Sequence, residues 1–202
     1  MIVSRKSLPR RRAQFNPRST KASLAKVESL STPASVLMKV AAALRWPARP
    51  AWARLAIEAA WSLPLALLLC ALGGLADFGW AHDPGLFLRL AAVALIAPAF
   101  GEELLFRVLL LPPPGRPVPP SRIALSAALF VLWHPPQAWL FGPHWAAVVL
   151  NPFFLGAVAV LGVALARLYA RTGSIWPCVP LHWIAIMAWK AFFGAPSPWV
   201  GG

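Results

Sequence analysis

Residues 86–111 read LFLRLAAVALIAPAFGEELLFRVLLL. The stretch is long enough to cross a bilayer, for which about 20 apolar residues suffice. Its second half nevertheless holds Glu102, Glu103 and Arg107. A charge at the centre of a membrane helix costs about 2.5–3.5 kcal/mol on insertion scales. A chain that keeps a cluster of charges there is using them against one another or against a substrate. The surrounding sequence decides between those uses.

Four more apolar stretches, at 55–76, 123–141, 145–169 and 174–193, have similar length. Of the 202 residues 59% are hydrophobic and 12% are charged, with a mean hydropathy of +0.65. Soluble domains carry about 25% charged residues, so the deficit points to a surface that faces lipid. The fold expected is an all-α polytopic transmembrane bundle of about five spanning helices. The two cysteines, Cys70 and Cys178, lie inside apolar stretches and suggest neither a disulfide framework nor a zinc site.

The formal charge of +13 invites a nucleic-acid reading, which the charge distribution excludes. Eleven of the nineteen Lys and Arg stand in residues 1–50, beside the single acid Glu28. Such an arm is read as a disordered cytoplasmic tail against anionic lipid, ahead of a peptidase-like transmembrane domain over 51–202. An interfacial helix is expected around 36–44, where Val36, Leu37, Val40, Ala41 and Leu44 share a face. A transit peptide and a start at Met38 are the alternatives for the arm.

With the tail in the cytoplasm, the connectors sort by charge. Residues 77–85 and 142–144 and the tail 194–202 have no Lys or Arg and fall outside. Arg116 and Arg122 in 112–122, and Arg167 and Arg171 near the later turn, fall inside. All obey the positive-inside rule. The expectation is an integral protein of a bacterial inner membrane, N-terminus in and C-terminus out.

Inside the stretches stand Glu102, Glu103 and Arg107 on the second, His134 on the third and His182 on the fifth. At 1.5 Å per residue, Glu102, His134 and His182 lie roughly 13, 17 and 12 Å from the cytoplasmic side, a common level. Glu103 and Arg107, four apart, share a helical face and can pair. Glu102 points elsewhere, free to take a proton from water as a general base. The histidines could share that water or stabilise an oxyanion. Pro98, Pro135 and Pro136 remove backbone donors near these residues. Broken backbone at that depth suits a cavity. Trp133, Trp183 and Trp189 are read as packing groups, and Glu58 as a residue that snorkels near the mouth of the first helix. Arg89 and Lys190, toward the outer side, are read the same way.

These residues resemble the motifs of the CPBP family, which includes the CAAX prenyl endopeptidases and bacterial bacteriocin-processing or immunity relatives. Glu102-Glu103-Leu104-Leu105-Phe106-Arg107 is similar to its EExxxR motif, and Phe130-Val131-Leu132-Trp133-His134 to its FxxxH motif. Thr172-Gly173-Ser174-Ile175-Trp176-Pro177, leading to His182, resembles the approach to its last motif, HxxxN or HxxxD. The resemblance covers about residues 90–190. It implies an intramembrane endopeptidase, of CAAX or sorting-signal type, that cuts a protein or peptide near its C-terminus. Glu102, Glu103, His134 and His182 would be catalytic, with Arg107 and Phe130 in support. The departure is Ile186, where the family has Asn or Asp.

No cofactor is expected, because no HExxH-type pair is present. Zinc is the alternative, on Glu102, His134 and His182. The partners implied are a peptide substrate within the membrane and the bilayer itself. Two rival functions remain. One is a catalytically silent binding or immunity protein of the same fold, which Ile186 favours. The other is a small proton-coupled transporter.

Overall fold

The computed structural model describes residues 32–76 and 83–193. The readings of 1–31, of the connector 77–82 with His82, and of 194–202 lie outside the described residues.

Proline sets the helix starts. Six helices begin on it: α1 (Pro33–Ala43), α2 (Pro50–Leu72), α3 (Pro84–Leu109), α4 (Pro120–Leu132), α6 (Pro143–Val149) and α7 (Pro152–Thr172). At the first helical position the missing N–H has no partner to lose, and the ring pre-sets φ. Asp83 caps α3 by accepting from Gly85 N at 2.8 Å, and Asn151 caps α7 by accepting from Phe153 N at 2.9 Å. Gly173, at φ 64°, ends α7 in the left-handed conformation. Two further helices complete the described chain, α5 (Gln137–Phe141) and α8 (Cys178–Phe192).

The all-α membrane bundle is confirmed. Three helices, α2, α3 and α7, are long and apolar enough to cross a membrane. The remaining expected spans are redrawn by backbone chemistry. Stretch 123–141 breaks after Leu132 because Pro135 and Pro136 cannot donate. Stretch 145–169 is divided between α6 and α7 by Asn151-Pro152. Stretch 174–193 starts its helix four residues late, at Cys178, after a turn.

The central helix is α7. Over half of its apolar window is buried, against 17% for α2 and for α3. Leu161, Ala164, Leu165, Ala166 and Leu168 join Val108, Leu111 and Leu181 in the main core. The other two long helices present most of their apolar side chains outward, as lipid-facing rods do. The helix expected around 36–44 is α1. Its end is fastened to the turn before α8, where Ile175 N donates to Ala43 O at 3.0 Å and Trp176 Nε1 to Leu44 O at 2.7 Å.

Glu58 corrects its reading as a snorkelling residue. It is fully buried and accepts from Arg171 Nη1 at 2.9 Å, Arg167 Nε at 3.3 Å and Trp61 Nε1 at 2.8 Å. Its carboxylate ties α2 to α7, so it turns inward.

Candidate active site

The site begins with a defect in α3. Pro98 has no N–H for the Ala94 carbonyl, and Gly101 follows with little resistance to a changed winding. Residues Leu95–Glu102 and Leu104–Leu109 are wound wider than an α-helix, in π-type turns. Such turns are rare and concentrate at functional sites. Glu102 and Glu103 sit where the two wide stretches meet.

Glu103 is held from two sides. Its Oε2 accepts from Arg107 Nε at 3.0 Å, and both side chains are fully buried. The guanidinium is itself fixed. Its Nη1 donates to Ser126 Oγ at 3.0 Å, Ser126 donates to Phe106 O at 2.8 Å, and Arg107 lies 4.7 Å over the Phe130 ring. A buried charge is tolerable when its hydrogen-bonding capacity is met in this way.

The other oxygen of Glu103, Oε1, lies 3.0 Å from His182 Nδ1. A carboxylate only accepts, so Nδ1 carries the hydrogen and Nε2 is left for the cavity. That Nε2 is 3.9 Å from Oε2 of Glu102. Glu102 stands outside the Arg107 pair, as expected, yet it is not loose. Its Oε1 accepts from Trp133 Nε1 at 2.9 Å. Trp133, read as packing, therefore also orients the acid. Ser126 is the second residue that the sequence reading missed. The available signal was a hydroxyl inside the apolar run about two helical turns before His134.

His134 stands two residues past the end of α4, just before Pro135 and Pro136. Its Nδ1 donates to the Phe130 carbonyl at 2.8 Å, so it too presents Nε2 elsewhere. The Phe130 ring stands between the two imidazoles, edge-on at 5.1 Å from His134 and 5.6 Å from His182. Glu102, His134 and His182 all line one cavity of about 660 Å³, otherwise walled mainly by apolar side chains of α2, α7 and α8. Glu103 and Arg107 stand behind that wall. The structure thus brings together Glu102, Glu103, His182, Arg107 and Phe130, and places His134 on the same cavity across the Phe130 ring.

Other readings fare differently. Ile186 lines the cavity one turn beyond His182, so the polar position of the resembled motif is apolar wall here. Gln137 lines the cavity as well, with its Oε1 accepting from Trp145 Nε1 at 3.2 Å. Asn151 is spent on the α7 cap and on Gly73 O. Trp183 and Trp189 pack, and each also donates to a carbonyl, of Ala91 and Leu75 respectively. Among the described residues, no group of three or more His, Cys, Asp and Glu is placed to hold a metal ion. The alternative zinc set, Glu102, His134 and His182, forms no such group.

A protein-family model described as type II CAAX prenyl endopeptidase Rce1-like matches residues 84–187, just over half of the chain. Among curated proteins and among solved structures, nothing matches.

Proposed function

The chain belongs to the type II CAAX prenyl endopeptidase Rce1-like family of integral membrane proteins, and from that premise we propose that it hydrolyses a peptide bond near the C-terminus of a membrane-held protein or peptide. The observation that carries this reading is the approach of Glu102 to His182. Their side chains come from helices about 80 positions apart in sequence. They face each other at 3.9 Å on the wall of an apolar cavity.

In this mechanism a water lies against Glu102 Oε2 and His182 Nε2. Glu102 takes a proton as the water oxygen bonds to the scissile carbonyl carbon. Glu103, itself held by Arg107, keeps His182 in its Nδ1–H form and stabilises the ring if it gains a proton. His134, with its Nδ1–H held by the Phe130 carbonyl, offers a bare Nε2 that accepts a hydrogen bond from the scissile N–H and then from the leaving amine. Collapse breaks the C–N bond, and the leaving amine receives the proton from Glu102. Trp133 keeps the Glu102 carboxylate aimed at the cavity. No step needs a metal. By the positive-inside rule, the end of α7 that carries Arg167 and Arg171 faces the cytoplasm of a bacterial inner membrane.

The test is peptide cleavage by the full chain in vesicles, comparing wild type with Glu102→Gln, His134→Ala and His182→Ala. Loss of a general base reduces rates about 10²–10⁴-fold, and that is the fall expected for Glu102→Gln. If all four proteins cleave alike, the proposal is wrong. Ile186 supports a second reading, a silent peptide-binding protein that uses the same cavity. It predicts peptide binding with no cleavage in wild type.

A further inference from the structure

Away from the cavity the chain holds a second cluster of charge. Glu58 on α2 is fully buried, and two guanidiniums of α7 converge on its Oε1, Arg171 through Nη1 at 2.9 Å and Arg167 through Nε at 3.3 Å. Trp61 Nε1 donates to Oε2 at 2.8 Å, which completes the carboxylate. None of these four residues lines the cavity. Exposed Arg54, one turn before Glu58 on the same face of α2, adds a third cation. The other acids among the described residues stand elsewhere: Asp83 caps the start of α3, and Glu102 and Glu103 lie in its wide turns. The cluster therefore keeps a surplus of positive charge.

That surplus is turned outward. A guanidinium carries five N–H donors in a planar fork, and each arginine uses one of them on Glu58. Both side chains are 42% exposed, so their outer edges stay open. Because both donate to a single buried oxygen, the two forks stand side by side on a fixed anchor. Their level is the membrane boundary. Arg171 is one residue from the end of α7. Trp61, its N–H on Glu58 and its ring partly exposed, is the kind of amphipathic ring that sits among headgroups. Beside it Ile57, 60% exposed, continues the apolar outer side of α2. We propose that Arg167 and Arg171 bind the phosphate of an anionic phospholipid whose acyl chains lie along that side of α2. Two forks at one level suit the several oxygens of a single phosphate, and basic pockets between membrane helices hold such headgroups. A zwitterionic headgroup brings its own cation to the cluster, and the soluble ion brings no chains. Only an anionic lipid uses both the charge and the apolar surface.

The probes are short-chain phosphatidylglycerol, phosphatidylcholine with the same chains, and inorganic phosphate. Each is titrated by calorimetry into the full chain in neutral maltoside micelles. Phosphatidylglycerol is expected to saturate and to bind about fivefold or more tightly than either other probe. An arginine near the membrane surface contributes about fivefold to such binding, so Arg167→Gln and Arg171→Gln should each weaken phosphatidylglycerol by about that factor. Arg171→Lys, which keeps the charge and gives up the fork, should lose less. Arg89→Gln makes the same change of net charge on α3 and should leave the affinity as it is. Each single Gln variant leaves the second arginine on Glu58, and thermal unfolding checks that the fold holds. Should one fail to fold, Arg171→Lys and the comparison of probes on the wild type still decide. Equal affinity for the two lipids, inorganic phosphate binding as tightly as phosphatidylglycerol, undiminished affinity in both Gln variants, or an equal loss in Arg89→Gln would each overturn the proposal.

Discussion

Two buried carboxylates in this protein, Glu58 and Glu103, are held by arginine and serve opposite ends. Both are fully buried. Glu58 faces Arg167 and Arg171, whose side chains are 42% exposed, and its other oxygen is taken by Trp61. Glu103 faces Arg107, which is as buried as itself, and His182, whose second nitrogen looks toward the cavity. The first acid joins two long helices and leads nowhere further. The second passes its order to a ring that reaches open space. An ion pair inside a membrane bundle acts as a lock when its partners end at the surface. It acts as a support for chemistry when one partner has a free face on a cavity.

The sharpest way to break this comparison is Arg107→Met. It leaves Glu103 buried without its cation, and removal of one partner from a buried pair costs about 3–5 kcal/mol. Unfolding in mixed micelles should show that loss, and cleavage should fall with it. Glu58→Gln ranks next, at about 1–3 kcal/mol, because half-exposed arginines can regain solvent. Activity per folded molecule should hold there. A Glu58→Gln protein that unfolds normally but no longer cleaves would show that the lock belongs to the site.

Trp133→Phe sharpens the comparison on the catalytic side. It deletes one hydrogen bond to a carboxylate, worth about 1.5 kcal/mol, and should slow cleavage about tenfold with little change in unfolding. Lys39→Met should do least. Lys39 donates to the Leu109 carbonyl at the end of α3 at 2.9 Å, a contact worth about 0.3–1 kcal/mol. Burial, and then the nearby Arg122 charge, hold the Lys39 ammonium below its ordinary pKa. The folded chain therefore gives up this proton more readily than the unfolded chain. Stability rises as pH climbs through that interval toward the ordinary lysine value. Lys39→Met should flatten that rise in unfolding titrations.

Much of the polar site was legible along the chain because charge in an apolar stretch is conspicuous. Glu103 and Arg107 pair at the expected four-residue spacing, and Glu102 and His182 meet at the shared depth read from helix rise. The misses have a common form. Trp133 and Glu58 each have two plausible lives, packing or donating for the one, snorkelling or pairing for the other. One-dimensional context does not choose between them, since the partner lies 31 residues away for Trp133 and over 100 for Glu58. Helix boundaries failed for another reason. Hydropathy runs through Pro152 and Pro135-Pro136 without a break, while backbone hydrogen bonding does not.

The amino-acid order alone determined the membrane class, the helical content and the identity of the polar groups, because transfer of apolar and charged side chains into lipid is a local property summed residue by residue. Only the tertiary structure decided the winding of α3 and which nitrogen of His182 faces Glu102. It also decided that Lys190 shares the cavity of the two glutamate-bearing turns. Those outcomes depend on where separate helices come to rest against one another, and packing of that kind is settled by the whole bundle at once.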